Sequence, residues 1–201
     1  MISIERDDGL LVLTLRRADK ANALTKAMLE ALDETLATTD ARAVIITGEG
    51  RVFSAGADLD EAHAGLATDP VWVRLSNRIA TLPGLTIAAL NGTLAGGAMG
   101  MALACDLRLG VPGAKFFYPV MRLGFLPQPA DPARLVALIG PARAKMILMA
   151  GVKIAADEAL AWGLIDRIVE PQDLMGSARA LCADALAARP GHAAAIKGLL
   201  G

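Results

Sequence analysis

Two glycine-bearing stretches hold the residue types from which chemistry can be built. The first is Asn91-Gly92-Thr93-Leu94-Ala95-Gly96-Gly97-Ala98, which follows the apolar run Thr86-Ile87-Ala88-Ala89-Leu90 and leads into Met99-Gly100-Met101-Ala102-Leu103-Ala104-Cys105. The second is Phe53-Ser54-Ala55-Gly56-Ala57-Asp58-Leu59, which follows Ala43-Val44-Ile45-Ile46-Thr47. Each reads as strand, glycine turn, helix. Glycines at such a junction permit unusual backbone angles and let a ligand approach the main chain. The first N–H groups of a helix lack partners within it and carry the positive end of its dipole, so they can bind a phosphate, a carboxylate or an oxyanion. A glycine pair alone is equally a tight turn between packed elements. If the two turns lie side by side, however, two main-chain N–H groups can converge on one oxygen. One fixed donor of this kind is worth roughly 3–4 kcal/mol to a negative charge that develops on such an oxygen.

The elements that must position these turns follow from pattern. Residues 2–6 and 10–15 read as strands of a hairpin about Asp7-Asp8-Gly9, a favoured turn sequence. Residues 16–23 form a polar loop. Thr25 is placed to cap a helix over 26–38, with Met28, Leu29, Leu32 and Leu36 on one face. Residues 43–47 read as a buried strand, 58–64 as a short helix, and Pro70 suits the first turn of a helix ending at Pro83-Gly84. A strand over 86–90, a helix over 97–105 and short strands over 106–110 and 115–118 follow. Residues 119–131, with Pro119, Pro127 and Pro129, read as irregular loop. Beyond lie helices at 132–139, 141–150 and 155–162, a strand at 165–169, and helices at 172–188 and 192–200. The recurrence of strand, turn and helix at 10–38, 43–64, 86–105 and 106–139 predicts an α/β core of stacked units.

Bulk properties narrow the class. The 201 residues suffice for one domain with a sizeable core; 54% are hydrophobic but only 3% aromatic, so the core is built of Ala, Leu, Val, Ile and Met. The net charge is −1 and the basic residues are scattered, which argues against a nucleic-acid groove. Cys105 and Cys182 stand alone, without a second cysteine or histidine at ligand spacing, so neither a disulfide framework nor a metal site is expected. The longest apolar run, 94–105, is too short to span a bilayer, and the first residues, Met1-Ile2-Ser3-Ile4-Glu5-Arg6, carry no secretory pattern. A cytoplasmic protein with no membrane partner is expected.

Together these motifs resemble the enoyl-CoA hydratase/isomerase (crotonase) family. The resemblance rests on FSAGADL at 53–59, the Asn91-Gly92 and Gly96-Gly97 pairs, the apolar helix ending in Cys105-Asp106, Asn22-Ala23-Leu24 upstream, Leu123-Gly124-Phe125-Leu126-Pro127 downstream, and Ala156-Asp157-Glu158-Ala159 running to Gly163-Leu164-Ile165. It extends in register from Ile2 to Lys197. It implies a crotonase-like spiral of β-β-α units over 1–140 and a C-terminal helical region over 141–201 that serves oligomerisation, as a trimer or dimer of trimers. It also implies an acyl-CoA thioester as substrate, with no separate cofactor, and it places the oxyanion donors on Ala57 and Gly97. Asn22, Ala23, Leu24, Ala55 and Gly96 fall where the family borders coenzyme A, and Arg16, Lys20 or Lys26 could meet its phosphates.

The acids of the family are missing. The two hydratase glutamates align with Gly100 and Val120, and the acid that isomerases place after the LG-x-x-P proline aligns with Gln128. The remaining proton-transfer candidates are Asp131, which reads either as a displaced base or as an N-cap for a helix starting at Pro132, and His63, which has a pKa suited to general base work but equally reads as a solvated loop residue. Glu61 lies with His63 on or just after the short helix that follows Ala57. Tyr118 reads as packing or as a hydrogen-bond donor, Asp58 as a cap, and Cys105 as inert. The expected function is acyl-thioester enolate chemistry of the hydratase or isomerase type. The alternatives are a non-catalytic acyl-CoA-binding or scaffold subunit, and a decarboxylase- or thioesterase-like member.

Overall fold

The computed structural model describes residues 1–200. In chain order its elements are β1 (Ile2–Asp7), β2 (Leu10–Leu15), α1 (Lys26–Ala37), β3 (Ala43–Gly48), β4 (Val52–Ser54), α2 (Leu59–His63), α3 (Val71–Thr81), β5 (Leu85–Leu90), β6 (Thr93–Ala95), α4 (Met99–Ala104), β7 (Leu107–Gly110), β8 (Lys115–Phe117), α5 (Val120–Leu123), α6 (Asp131–Leu148), β9 (Ile154–Ala155), α7 (Ala156–Trp162), β10 (Arg167–Ile168), α8 (Leu174–Ala187) and α9 (His192–Leu200).

The strands form two sheets. One has six strands in the order β1-β2-β3-β5-β7-β10, the other four in the order β4-β6-β8-β9. β1 and β2 are antiparallel, and Asp8 and Gly9 both take positive φ in the tight turn between them. From β2 to β10 the large sheet is parallel. Each turn of chain gives one strand to each sheet: β3 then β4, β5 then β6, β7 then β8. That is the β-β-α spiral the motifs imply. β3 and β5 are almost wholly buried along their length, as parallel strands covered on both faces must be. α8 packs on β3, β5 and β7, while α1, α3, α4 and α6 form a continuous run of helix-on-helix contacts.

Local chemistry explains most boundaries. The Thr25 hydroxyl accepts the Met28 N–H at 3.2 Å and starts α1. Met28, Leu29, Leu32 and Leu36 are its buried face, as their spacing predicts. Asp58 caps α2 by accepting the N–H groups of Asp60 and Glu61. Gly140 takes φ 79° and breaks α6 into two helical segments before Pro141, where the sequence places the division between 132–139 and 141–150.

Three differences stand out. β4 and β6 are strands of three residues each, inside stretches that read as turns; only pairing with each other and with β8 makes them strands. α5 occupies part of the expected loop 119–131: Pro119 opens it, and Gly124 in the left-handed region closes it. The strand expected at 165–169 pairs only at Arg167 and Ile168, because Leu164 and Ile165 are held at the C-terminus of α7 by bonds to the Ala159 carbonyl. Among the described residues no helix is long and apolar enough to cross a membrane.

Candidate active site

The bend at 54–58 is built by its own side chains. Ser54 Oγ donates to the Asn22 carbonyl at 2.8 Å and accepts the Gly56 N–H at 3.1 Å. Leu24 N–H donates to the Gly56 carbonyl and Asp58 N–H to the Leu24 carbonyl, so Ala57 lies in a bridge with Leu24. Gly56 has φ 98°, which side-chain-bearing residues rarely adopt. The second bend, at 95–98, lies directly against the first. A Cβ on Gly56 would fall 3.0 Å from the Ala95 carbonyl oxygen, 3.3 Å from Gly96 Cα and 3.5 Å from Gly97 N. Two strand-to-helix turns therefore meet backbone to backbone, each losing its side chain at the contact. The first bond of the helical turn after Gly97 is donated by Met99 N–H, so the N–H groups ahead of it fall among the unpartnered set of a helix start.

A cavity of about 120 Å³ opens at this junction. Ala55, Ala57, Gly96 and Gly97 line it together with Trp72, Tyr118, Val120 and Gln128. A Cβ on Gly97 would sit 3.2 Å from the Trp72 ring. Trp72 is itself fixed by its indole N–H, which donates to the Leu66 carbonyl at 2.8 Å. The mouth is apolar, with Leu59, Leu123 and Leu126 all exposed at its rim.

The candidate residues separate. Ala55, Ala57, Gly96, Gly97 and His63 all line the cavity, His63 from its exposed outer edge. Asn22, Ala23 and Leu24 do not line it. Asn22 is fully buried, its side chain accepting Arg17 N–H and donating to the Glu49 and Val52 carbonyls, so that side chain braces the loop. Arg17 completes the brace through Asp58 at 2.7 Å, and this contact holds the Asp58 carboxyl below its ordinary range. Glu61 accepts the Lys26 N–H at 2.6 Å and so serves the start of α1. Lys26 itself pairs with Asp69 and Arg16 with Glu49. Cys105 is buried and desolvation pushes its thiol up to about 12, which leaves it inert as a nucleophile.

Asp131 corrects one reading. It is the first residue of α6 rather than its cap, and no side chain caps that helix. It is 1% exposed. One carboxyl oxygen, Oδ2, accepts the Tyr118 hydroxyl at 3.0 Å; the other, Oδ1, has no partner. Burial raises its pKa to about 6, against the opposing pull of the Tyr118 hydrogen bond and the Arg134 charge. Tyr118 is likewise no mere packing residue: its hydroxyl donates to Asp131 and accepts the Gln128 N–H at 3.2 Å. Trp72, Leu59, Phe125 and Leu126 were not legible as site residues. Trp72 lies on an apolar helical stripe that reads as core, Leu59 opens α2 at the rim, and Phe125 and Leu126 are placed only by the loop that follows α5.

Comparison with known proteins agrees with this architecture. The family model described as enoyl-CoA hydratase/isomerase matches residues 5–200. A crotonyl-CoA hydratase of Syntrophomonas wolfei subsp. wolfei is 35% identical, over 98% of this chain and 82% of its own. A 4-chlorobenzoyl coenzyme A dehalogenase of Arthrobacter sp is 32% identical, over 95% of this chain and 74% of its own. The crystal structure of an enoyl-CoA hydratase/isomerase from Pseudoalteromonas atlantica T6c superposes with a TM-score of 0.91 at 28% identity, covering 99% of this chain and 82% of that one. With a matching fold and a family match along nearly its whole length, the chain belongs to the enoyl-CoA hydratase/isomerase family.

Proposed function

We propose that the cavity receives an acyl-CoA, or a related acyl thioester, with its carbonyl oxygen between the N–H groups of Ala57 and Gly97. These donors stabilise the enolate formed when the α-proton leaves. The observation that carries this reading is the back-to-back packing of the two glycine bends at the floor of an apolar cavity. Fixed main-chain dipoles in a site lined by Trp72, Val120 and the leucines of the rim act on charge far more strongly than they would in water. Coenzyme A enters as part of the substrate, and no separate cofactor takes part. Family membership supports the thioester class, since relatives named as a crotonyl-CoA hydratase and a chlorobenzoyl-CoA dehalogenase share only that feature of substrate. We further infer a homo-oligomer, supported by the exposed Val136, Met146, Met149 and Leu160 around α6 and α7.

A second reading, a binding subunit without turnover, is favoured by one observation: Gly100 and Val120 supply no acid.

The test is calorimetric titration with butyryl-CoA and crotonyl-CoA, before and after Gly97→Val. The added side chain would drive into the Trp72 ring and across the carbonyl position. Binding by the unaltered protein, lost at least about tenfold in the variant, is expected. Equal affinity in both removes the site from these bends.

A further inference from the structure

The buried pair formed by Tyr118 and Asp131 touches the backbone through the Gln128 N–H, which the Tyr118 oxygen accepts at 3.2 Å, and this tie does not require the carboxyl. Among the described residues Asp131 caps no helix, bonds no backbone N–H and forms no ion pair; Arg134, one turn along α6, directs Nη2 to Asn77 Oδ1 at 2.8 Å and to the Ser76 carbonyl, while its Nη1 is buried without a partner. A carboxyl 1% exposed with an oxygen left unpartnered is costly to keep. Its place in the fold is specific. A Cβ on Gly100 would lie 2.7 Å from Asp131 Oδ1 and 3.2 Å from Oδ2. α4 is otherwise Met99, Met101, Ala102, Leu103 and Ala104, all buried. The bare backbone at Gly100 is thus the one place on that helix where a carboxyl from α6 can enter. Tyr118 stands between this carboxyl and the cavity, whose wall it forms together with Gly97 and Ala57.

We propose that Tyr118 and Asp131 are the proton-transfer pair of this site, with Tyr118 meeting the substrate and Asp131 acting through it. The proposal rests on the thioester reading above. As the α-carbon–hydrogen bond of the acyl group breaks, its electron pair moves into the carbonyl and charge collects on the oxygen facing Ala57 and Gly97. The proton goes to the Tyr118 oxygen, and the hydroxyl proton of Tyr118 passes along its existing hydrogen bond to Asp131 Oδ2. The balance is one carboxylate and one thioester converted to one carboxylic acid and one enolate, with Tyr118 neutral before and after. No other reactant is required. The reverse transfer returns a proton to the carbon skeleton. Raised by burial, Asp131 is a stronger base than an exposed aspartate and is ionised at neutral pH.

The charged and titratable surroundings are few. Arg134 shares its helix; α4 contributes none; Arg74 and Arg78 of α3 are spent on Asp33; Arg122 of α5 is exposed; His63 stands at the outer edge of the cavity.

The experiment is deuterium wash-in at the α-carbon of butyryl-CoA in deuterium oxide, with calorimetric binding in parallel, for the full chain, Tyr118→Phe and Asp131→Asn. Expected are exchange by the unaltered protein with a rate that rises through pH of about 6, a loss of about 100-fold or more in both variants, affinity within a few-fold, and no pH limb in the residual exchange of Asp131→Asn. Near-normal exchange in either variant overturns the pair while leaving the thioester site standing, as does binding without exchange in the unaltered protein. Absence of butyryl-CoA binding defeats the thioester reading itself, and the pair with it.

Discussion

At the scale of single residues, Asp131 separates stability from chemistry. Its carboxyl ordinarily ionises near 3.8, and in the folded protein burial moves it to about 6. The folded state therefore binds the proton more tightly than the unfolded chain does. The group's favourable contribution is complete below about 4 and is lost as pH rises toward 6, so that above this window the ionised carboxyl is a net cost. At 1.36 kcal/mol per pK unit the cost is on the order of 2–3 kcal/mol. Asp131→Asn should therefore melt several degrees higher than the unaltered protein at pH 7.5 and close to it at pH 4, as read by calorimetry at both values. A difference that does not grow with pH would show that the carboxyl is not held in this way. A stabilising substitution at the position proposed to take up the proton is what a site kept for function leads one to expect.

At the scale of elements, the two bends depend on positions where backbone meets backbone. A Cβ on Gly92 would fall 2.0 Å from the Arg51 carbonyl oxygen. Neither side can retreat, because Val52 and Thr93 are paired in the small sheet and Asn91 ties the same turn to Gly48 N–H and to the Gly50 carbonyl. Gly92→Ala should cost roughly 3 kcal/mol or more in urea unfolding. Thr25→Ala, which removes only a helix cap, should cost about 1 kcal/mol. Equal effects would mean that the bends yield more easily than their packing indicates. Glycine pairs are visible in sequence as turns, but what each turn touches depends on a strand some forty residues away. β4 and β6 were hidden for the same reason: three residues have no periodicity of their own and become strands only by pairing.

At the scale of the molecule, the spiral is closed by its C-terminal region. β9 joins the small sheet, β10 the large one, and α8 covers three strands of the latter. Arg108, 4% exposed, gathers the end of α4 and the end of α7 through bonds to the carbonyls of Cys105 and Leu164 and to Asp166. α9 is held differently. It buries none of its residues, and a cavity of about 740 Å³ separates it from α8 and the starts of β5 and β7. Lys197 is its main tether, donating to the carbonyls of Leu82 and Gly84 and pairing with Asp106 at 2.8 Å. Lys197→Met should speed amide exchange and proteolysis around residues 189–192 severalfold while shifting the global melting temperature little. A large loss of global stability would show that α9 belongs to the cooperative core.

The sequence by itself determined the long strands of the large sheet and the longer helices, the capping of α1 and α2, the break at Gly140 and the two glycine turns, because these depend on residues within a few positions of one another. It also showed that neither Gly100 nor Val120 can carry a proton. The tertiary structure alone decided what lies against Gly100. Gly100 and Asp131 lie on different helices, and only the packing of α4 on α6 brings the carboxyl of one into the space left by the other. The same packing withholds water and backbone partners from Asp131, turning a residue that reads as a helix cap into a buried, proton-hungry group behind Tyr118.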